Sequence, residues 1–419
     1  MIKIGIFGVR RGADMIRDFM KCGCDVVAIC EKRPECAEYA IKEIGLKGVK
    51  VYEDFDEFLT HEMDAVVLSN FFHEHAPYAI KCFERGLHVY SECLSNSTMA
   101  EGVELVRAFE KHGKKSIYML AENYPMMKFN REMKKVVEGG TLGRILYAEG
   151  EYNHPGNPKS LDARKEYSYF ERHWRNYLPR TYYITHSLGP VMYITGAAPK
   201  RVSAFTVFAP PEETEFGTAN RSGDRVSEIM THNDDGSVFR ITACATYGAR
   251  HDSYRVCGEN GQVENLRGMD GKVMLRYSPW TTPEGMKSNN LYEPHFEDMD
   301  SDFIKTSGHG GGDFITVKHF VDCIKQNRQP DTPFDIYSAT TMSSVAILAH
   351  RSVLNGNVPY DVPDFRHEED RVKHENDDAT PFYYSDGREP NIRSSSNADY
   401  ELSETQLENY RNSLKTDKN

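Results

Sequence analysis

Tyr183 and His186 stand three residues apart in YYITHSLGP, residues 182–190, and bring a phenol and an imidazole to one place in the chain. Histidine changes charge near neutrality, with an unperturbed pKa of about 6.5, whereas a phenol near 10 needs cationic neighbours before it accepts a proton. Arg175 and Arg180 are the nearest candidates for those cations, and for contacts to a substrate. If THSLGPVMY opens a helix, the two side chains share one face and point into one pocket, with Gly189 and Pro190 as its stop. No carboxylate–histidine pair has metal-ligand spacing, and Cys22 and Cys24 lack a second pair, so no metal is expected.

Elements must deliver those groups to a cleft. From residue 1 to about 121, short apolar runs (KIGIFGV, VVAIC, AVVLS, LHVYSE, IYMLAE) alternate with amphipathic stretches, which predicts a doubly wound parallel sheet with helices on both faces. From about 143 to 277 the texture becomes strands of period two, among them RILYAEGEY, VSAFTVF, SVFRITACAT and DSYRVCG. Such a run predicts an α+β second domain, residues 122–365, with a large, predominantly antiparallel open sheet. Helices return at DFITVKHFVDCIKQ and YSATTMSSVAILAHRSVLNG, the latter closed by Asn355 and Gly356 with Pro359 beyond. Residues 366–419 are polar and predict either disorder or an arm reaching a partner subunit.

At 419 residues the chain has room for two cores, since one rarely serves more than roughly 250 to 300 residues. A net charge of −12 repels phosphate backbones and argues against nucleic acid or an anionic membrane as partner, leaving a small molecule. The apolar runs are too short for a membrane span, the start turns to charge too soon for a signal peptide, and nine scattered cysteines suit a reducing compartment; the cytoplasm is the predicted location.

The first strand runs into GVRRGADMIRDFM, where a dinucleotide fingerprint would read Gly8, Arg10 and Ala13. The second glycine is missing. Gly8 still permits the tight turn, Gly12 keeps the helix start open, and Arg10 and Arg11 add charge for a diphosphate above the helix N-terminus. The second strand ends in Glu31, at the distance where an acid accepts both adenosine ribose hydroxyls and repels a 2′-phosphate, which favours NAD over NADP.

The stretch DAVVLSNFFHEHAPYAIKCFERGLHVYSE resembles the Gfo/Idh/MocA family, and further landmarks follow in that family's order: GTLGRI at 140–145, THSLGP at 185–190, GHGG at 308–311 and VPDF at 362–365. The resemblance implies a Rossmann domain, an open-sheet domain facing it, a nicotinamide cofactor in the cleft, and a homo-oligomer, dimer or tetramer. It places Asn70, Phe72, His75, Glu92, Cys93 and Asn123 around the cofactor. Where most relatives carry Glu-Lys-Pro this chain has Glu92, Cys93 and Leu94, so the lysine that assists the family's dehydrogenases is absent. A branch without that lysine, the NAD-dependent α-N-acetylgalactosaminidases, is similar at Glu122-Asn123, Tyr152, His173 to Arg175, Tyr183 to Pro190 and Gly308 to Gly311.

That branch implies redox-assisted glycoside cleavage: oxidation of a sugar hydroxyl at C3 acidifies the C2 hydrogen, the glycosidic oxygen leaves by elimination, and NAD is recycled, outside the usual two-carboxylate scheme. On this expectation His186 takes the C3 hydroxyl proton, Tyr183 makes a neighbouring transfer, Tyr152 and His309 touch the sugar or protonate the leaving oxygen, and Glu122 orients the nicotinamide or the substrate. Two rival readings remain open: a net sugar or cyclitol dehydrogenase that releases NADH, against which Cys93 speaks, and a non-catalytic sensor of NAD and sugar.

Overall fold

The computed structural model describes residues 1–113, 115–156, 170–269 and 271–415. Short apolar runs form β1 (Lys3–Phe7), β2 (Asp25–Cys30), β3 (Lys50–Tyr52), β4 (Ala65–Leu68), β5 (His88–Ser91) and β6 (Tyr118–Leu120), all parallel in the order β3-β2-β1-β4-β5-β6. Labelling helices of ten residues or more, α1 (Val9–Lys21), α2 (Pro34–Ile44), α3 (His75–Glu84) and α4 (Met99–Ala108) fill the connections. In α1 the buried residues Val9, Gly12, Met15, Ile16 and Phe19 recur every three or four positions, the pattern of one apolar face. A capping box opens α4: the Thr98 hydroxyl accepts the Glu101 amide, and the Glu101 carboxylate accepts the Thr98 amide.

The second sheet has nine strands in the order β14-β13-β12-β11-β7-β10-β9-β8-β15. These are β7 (Ile145–Asn153), β8 (Pro199–Phe208), β9 (Asp224–Asn233), β10 (Val238–Ala245), β11 (His251–Gly258), β12 (Gly261–Asn265), β13 (Val273–Tyr277), β14 (Asn289–Tyr292) and β15 (Tyr360–Asp361). Only β7 and β10 pair in parallel. The remaining helices are α5 (Lys128–Glu138), α6 (Thr185–Thr195), α7 (Gly312–Gln326), α8 (Ile336–Leu354) and α9 (Glu404–Lys415). The predicted two-sheet class is what the chain forms.

Domain boundaries in sequence are not boundaries in space. Helix α7, within the stretch assigned to the second domain, packs on α1 and closes the first domain's outer core, where Val317, Phe320 and Val321 meet Met15, Ile16 and Phe19. Helix α8 is buried along most of its length and touches β8 as well as α4 and β6.

The expectation for the tail is corrected. Residues 366–415 pack on their own chain: Phe382 is buried against Phe72, His73 and Tyr182, and Leu402, Leu407 and Tyr410 form a small core with Ala219. Arg371 is buried on Glu110 and Glu368, and Asp224 receives the Ser396 amide and hydroxyl. Widely spaced anchors in a polar background hide from a reading based on composition. Residues 416–419 of the tail lie outside the described residues.

Candidate active site at the junction of the two sheets

Helix α6 does not stop at Gly189-Pro190, as expected, but runs to Thr195 and ends on Gly196 in the left-handed region (φ 76°). A proline inside a helix leaves the carbonyl four residues earlier without its N–H partner. Here that carbonyl belongs to His186, and the Tyr254 hydroxyl on β11 donates to it at 2.6 Å. Two glycines let the helix approach its neighbours: a Cβ at Gly150 on β7 would lie 2.1 Å from the Ser187 carbonyl oxygen, and one at Gly189 would lie 2.9 Å from Cγ of Glu122.

His186 lies in the first turn of α6, and its Nδ1 is 2.8 and 3.0 Å from the two carboxylate oxygens of Glu122, which follows β6 and is fully buried. Burial alone would push the imidazole down and the carboxyl up. The attraction and hydrogen bonding between them outweigh this, raising His186 above and holding Glu122 below their ordinary ranges. With Nδ1 committed to the carboxylate, Nε2 is the nitrogen left for a ligand.

Aromatic rings surround the pair. Tyr183 lies edge-on to His186 with centroids 5.3 Å apart, Tyr152 likewise at 4.9 Å, and Tyr124 stacks on it at 4.3 Å. Tyr183 reaches His186 from the residue after the turn Arg180–Tyr182, ahead of the helix, so their meeting does not depend on a shared helical face. Burial pushes the phenols of Tyr152 and Tyr183 up, and the charge of Arg175 only partly opposes this at Tyr183. Both phenols therefore stay protonated at neutral pH, and Arg175 does not overcome burial to give Tyr183 the cationic help it would need to act as a base. Arg175 stacks on Trp174 (4.4 Å), whereas Arg180 donates to the Asp224 carbonyl (2.9 Å) on the tail side.

A second imidazole–carboxylate pair stands beyond Tyr124, whose ring is 5.6 Å from that of His309. His309 Nδ1 is 2.9 Å from Asp313, and the same carboxylate receives Arg11 (2.8 and 3.3 Å) and Asn123 (2.5 Å). Glycine is required in this loop: a Cβ at Gly308 would lie 2.3 Å from Asp313 Oδ2, and one at Gly311 (φ 92°) 2.2 Å from Ile304. Arg11, expected to face a diphosphate, instead ties α1 to this pair, its Nε donating to Glu92 at 2.8 Å. Cys93 is buried, donates to Glu122 at 3.4 Å and is pushed up by burial, so it places a neutral thiol beside that carboxylate.

The nucleotide end fits a dinucleotide. Gly8 makes the turn at φ 89°, and a Cβ on Gly12, one position before the fingerprint's last small residue Ala13, would lie 2.7 Å from Ile6 and 2.8 Å from Ser69 Oγ, so glycine there lets the helix approach the sheet closely. Glu31 lies at this turn, accepting the amides of Val9 (3.0 Å) and Arg33 (3.2 Å). The Asn70 carboxamide is shielded from solvent, its nitrogen directed to the Glu74 carboxylate, and its oxygen makes no hydrogen bond of normal geometry, leaving an acceptor for a polar ligand. Arg10 is exposed on the same turn. Two assigned residues serve the walls: Phe72 stacks on Trp174 (4.7 Å), and His75 is buried with Nδ1 on the Leu94 carbonyl (2.7 Å).

Sequence reasoning missed Tyr124, Asp252, Tyr254 and Asp313. Tyr124 directly follows Glu122-Asn123, and Asp313 ends the GHGGGD run, so position beside assigned residues was the available signal. Asp252 and Tyr254 alternate on β11, where Asp252 is pushed up by burial against the pull of His186.

Known proteins share this fold. Residues 2–120 match the model of an oxidoreductase family with NAD-binding Rossmann fold, residues 130–264 a GFO/IDH/MocA C-terminal domain, and residues 246–370 the glycosyl hydrolase 109 C-terminal domain. Glycosyl hydrolase family 109 proteins of Shewanella pealeana and Porphyromonas gingivalis are 22% and 23% identical, over 87% and 89% of this chain and 85% and 86% of theirs. Among solved structures, a levoglucosan dehydrogenase complexed with NADH and levoglucosan superposes with a TM-score of 0.72 at 17% identity, over 87% of this chain and 99% of that one. A myo-inositol 2-dehydrogenase from Lactobacillus plantarum gives 0.64 at 16%, over 86% and 99%. Through the first two models, which take in its nucleotide domain and much of its open sheet, the chain belongs to the Gfo/Idh/MocA oxidoreductases, NAD-dependent enzymes on a Rossmann fold.

Proposed function

We propose that the protein cleaves a glycoside by redox assistance, with the Glu122–His186 pair as its proton acceptor and buried phenols as its donors. The observation that carries this reading is the asymmetry within one cluster of rings: an imidazole whose basicity a buried carboxylate raises, with two phenols that burial keeps protonated edge-on to it at 4.9 and 5.3 Å. Gly8, Gly12 and Glu31 would hold the adenosine ribose and diphosphate, and Asn70 and Asn123 the nicotinamide end. The bound nicotinamide supplies a reversible two-electron acceptor beside the sugar ring.

His186, once deprotonated, takes the proton of the C3 hydroxyl, and Glu122 stabilises the imidazolium that results. After passing the first proton to solvent, His186 takes the C2 proton that the C3 carbonyl acidifies, while Tyr183 or Tyr152 gives a proton to the departing glycosidic oxygen, a role open to a phenol and closed to a phenolate. His309, held by Asp313, contacts the sugar from the opposite side of Tyr124. Relatives named for glycoside hydrolysis and the neutral thiol at Cys93 both support cleavage over net oxidation. Homo-oligomers and a cytoplasmic setting belong to the same proposal; among the described residues no helix is long and apolar enough to cross a membrane.

Incubating the NAD-loaded protein with a panel of p-nitrophenyl glycosides tests it. Nitrophenol without accumulating NADH is the expected result. NADH from free sugars without nitrophenol would replace the reading with a dehydrogenase, and silence in both channels with a sensor.

A further inference from the structure

We propose that the open groove beside the His309 loop is a binding site for the leaving portion of the substrate, a second sugar ring. This rests on the glycosidase reading above, because only a glycoside brings a group that must lie outside the inner pocket. The groove has a volume of about 670 Å3, within the roughly 300–1,000 Å3 of small-molecule sites. Its lining includes Met127 and Phe129 around the start of α5, Phe296 and Met299, and Gly310 of the His309 loop.

Both ends of that lining lead to the candidate catalytic groups. Gly310 follows His309 in the chain. Phe129 stacks on Tyr254 with centroids 6.0 Å apart, and the Tyr254 hydroxyl holds the His186 carbonyl. Through Gly310 and Phe129 the groove thus adjoins both the His309 loop and the Tyr254 contact that holds His186, which sets it beside the candidate catalytic groups.

The chemistry of the lining fits a sugar. Phe296 is a fixed ring: the Arg131 guanidinium packs 4.2 Å from its centre and is itself held by Asp298 at 2.9 and 3.1 Å. A clamped aromatic face suits the C–H face of a pyranose and loses little freedom on binding. Lys128, ion-paired with Glu293, supplies charged partners for hydroxyls on the rim. A lipid tail would meet that ion pair, and a polyanion would meet Glu293.

The test compares a disaccharide and a methyl glycoside that share the terminal sugar, on the NAD-loaded wild type and on Phe296→Ala. The expected result is a rise of about tenfold in KM for the disaccharide, with the methyl glycoside unchanged within about twofold. Equal losses on both substrates, or none on either, would overturn the groove assignment. Phe296→Leu, which keeps most of the volume but not the flat face, replaces the alanine variant should that one fail to fold. Failure of the glycosidase reading looks different: the wild type cleaves neither compound. Calorimetric titration then decides the groove separately, and disaccharide affinity that does not exceed monosaccharide affinity, or that survives in the variant, overturns it.

Discussion

The two imidazole–carboxylate pairs use the same chemistry in opposite mechanical settings. Glu122–His186 joins the end of the parallel sheet to a helix pressed on the open sheet, with Glu122 sealed from solvent and the His186 side chain 12% exposed. Asp313–His309 sits on a loop where His309, Gly310 and Gly311 all have positive φ, and its imidazole is 32% exposed. One pair is locked by packing on every side. The other is held by polar contacts, and its anchor Arg11 comes from the helix that follows the nucleotide turn. The difference separates roles: a buried pair can keep a fixed geometry while its proton moves, whereas a loop pair tied to α1 can respond to what the nucleotide domain holds.

Breaking the locked pair should have the largest effect. His186→Ala is expected to lower nitrophenol release by about a thousandfold or more while NAD stays with the protein, read from cofactor content after denaturation. Turnover within tenfold of wild type would remove His186 from the chemistry. The pH profile sharpens this. Because the folded pKa of His186 is raised, the base form appears only above the usual 6.5, so the rate climbs with pH through that raised value. Glu122→Gln removes the carboxylate and should move this acid limb to lower pH as well as reducing its height. For stability, the His186 contribution is full below its ordinary pKa of 6.5 and fades as pH rises through the folded value. That of Glu122 is present above its ordinary 4.5 and fades as pH falls through its lowered one. The destabilisation caused by Glu122→Gln, measured by denaturant midpoint, should therefore be greatest between about 4.5 and 6.5.

Disturbing the loop pair should cost less. Asp313→Asn keeps the size and removes the charge shared by His309, Arg11 and Asn123, and about a ten- to hundredfold fall in kcat/KM is expected from the misplaced imidazole. Arg11→Met should weaken NAD retention and activity together if α1 and the loop are coupled. Combined with Asp313→Asn it should add little, and full additivity in that double-mutant cycle would sever the link.

Much of this arrangement was legible in sequence, in a pattern that follows physical range. Local period and turn residues gave β1, β2, β4, β5 and β6, and the helices that became α7 and α8. The edge strand β3, KVY, is only partly buried and lacks the apolar run that marks the equally short β6. Motif position brought Glu122, Tyr152, Tyr183, His186 and His309 together as candidates, and the fold sets Tyr152, His186 and His309 against Tyr124, with Tyr183 and Glu122 on His186. What sequence could not supply was the partner of each group. Arg11 meets Asp313 across 302 positions, so the carboxylate that claims it was invisible, and charge beside a glycine turn read as charge for a diphosphate. The tail failed for a related reason, because Phe382 gains its burial only from Phe72, His73 and Tyr182, far away in the chain.

The smallest predicted effect tests how the locked pair is kept locked. Proline at 190 leaves the His186 carbonyl without a helical donor, and Tyr254 replaces it from another strand. Tyr254→Phe keeps the ring and its stack on Phe129 but leaves that carbonyl unpaired, at a cost of about 1–3 kcal/mol in folding stability. Activity should fall only a few fold, since the imidazole keeps Glu122. Pro190→Ala returns a backbone N–H at the position where a helix needs it. If the Tyr254 hydroxyl serves as that substitute, Pro190→Ala should stabilise the Tyr254→Phe protein more than it stabilises wild type, with denaturant midpoints for all four proteins giving the comparison. Equal gains in both backgrounds would mean that the helix tolerates Pro190 for another reason, and that Tyr254 is a packing residue whose hydroxyl merely finds a carbonyl nearby.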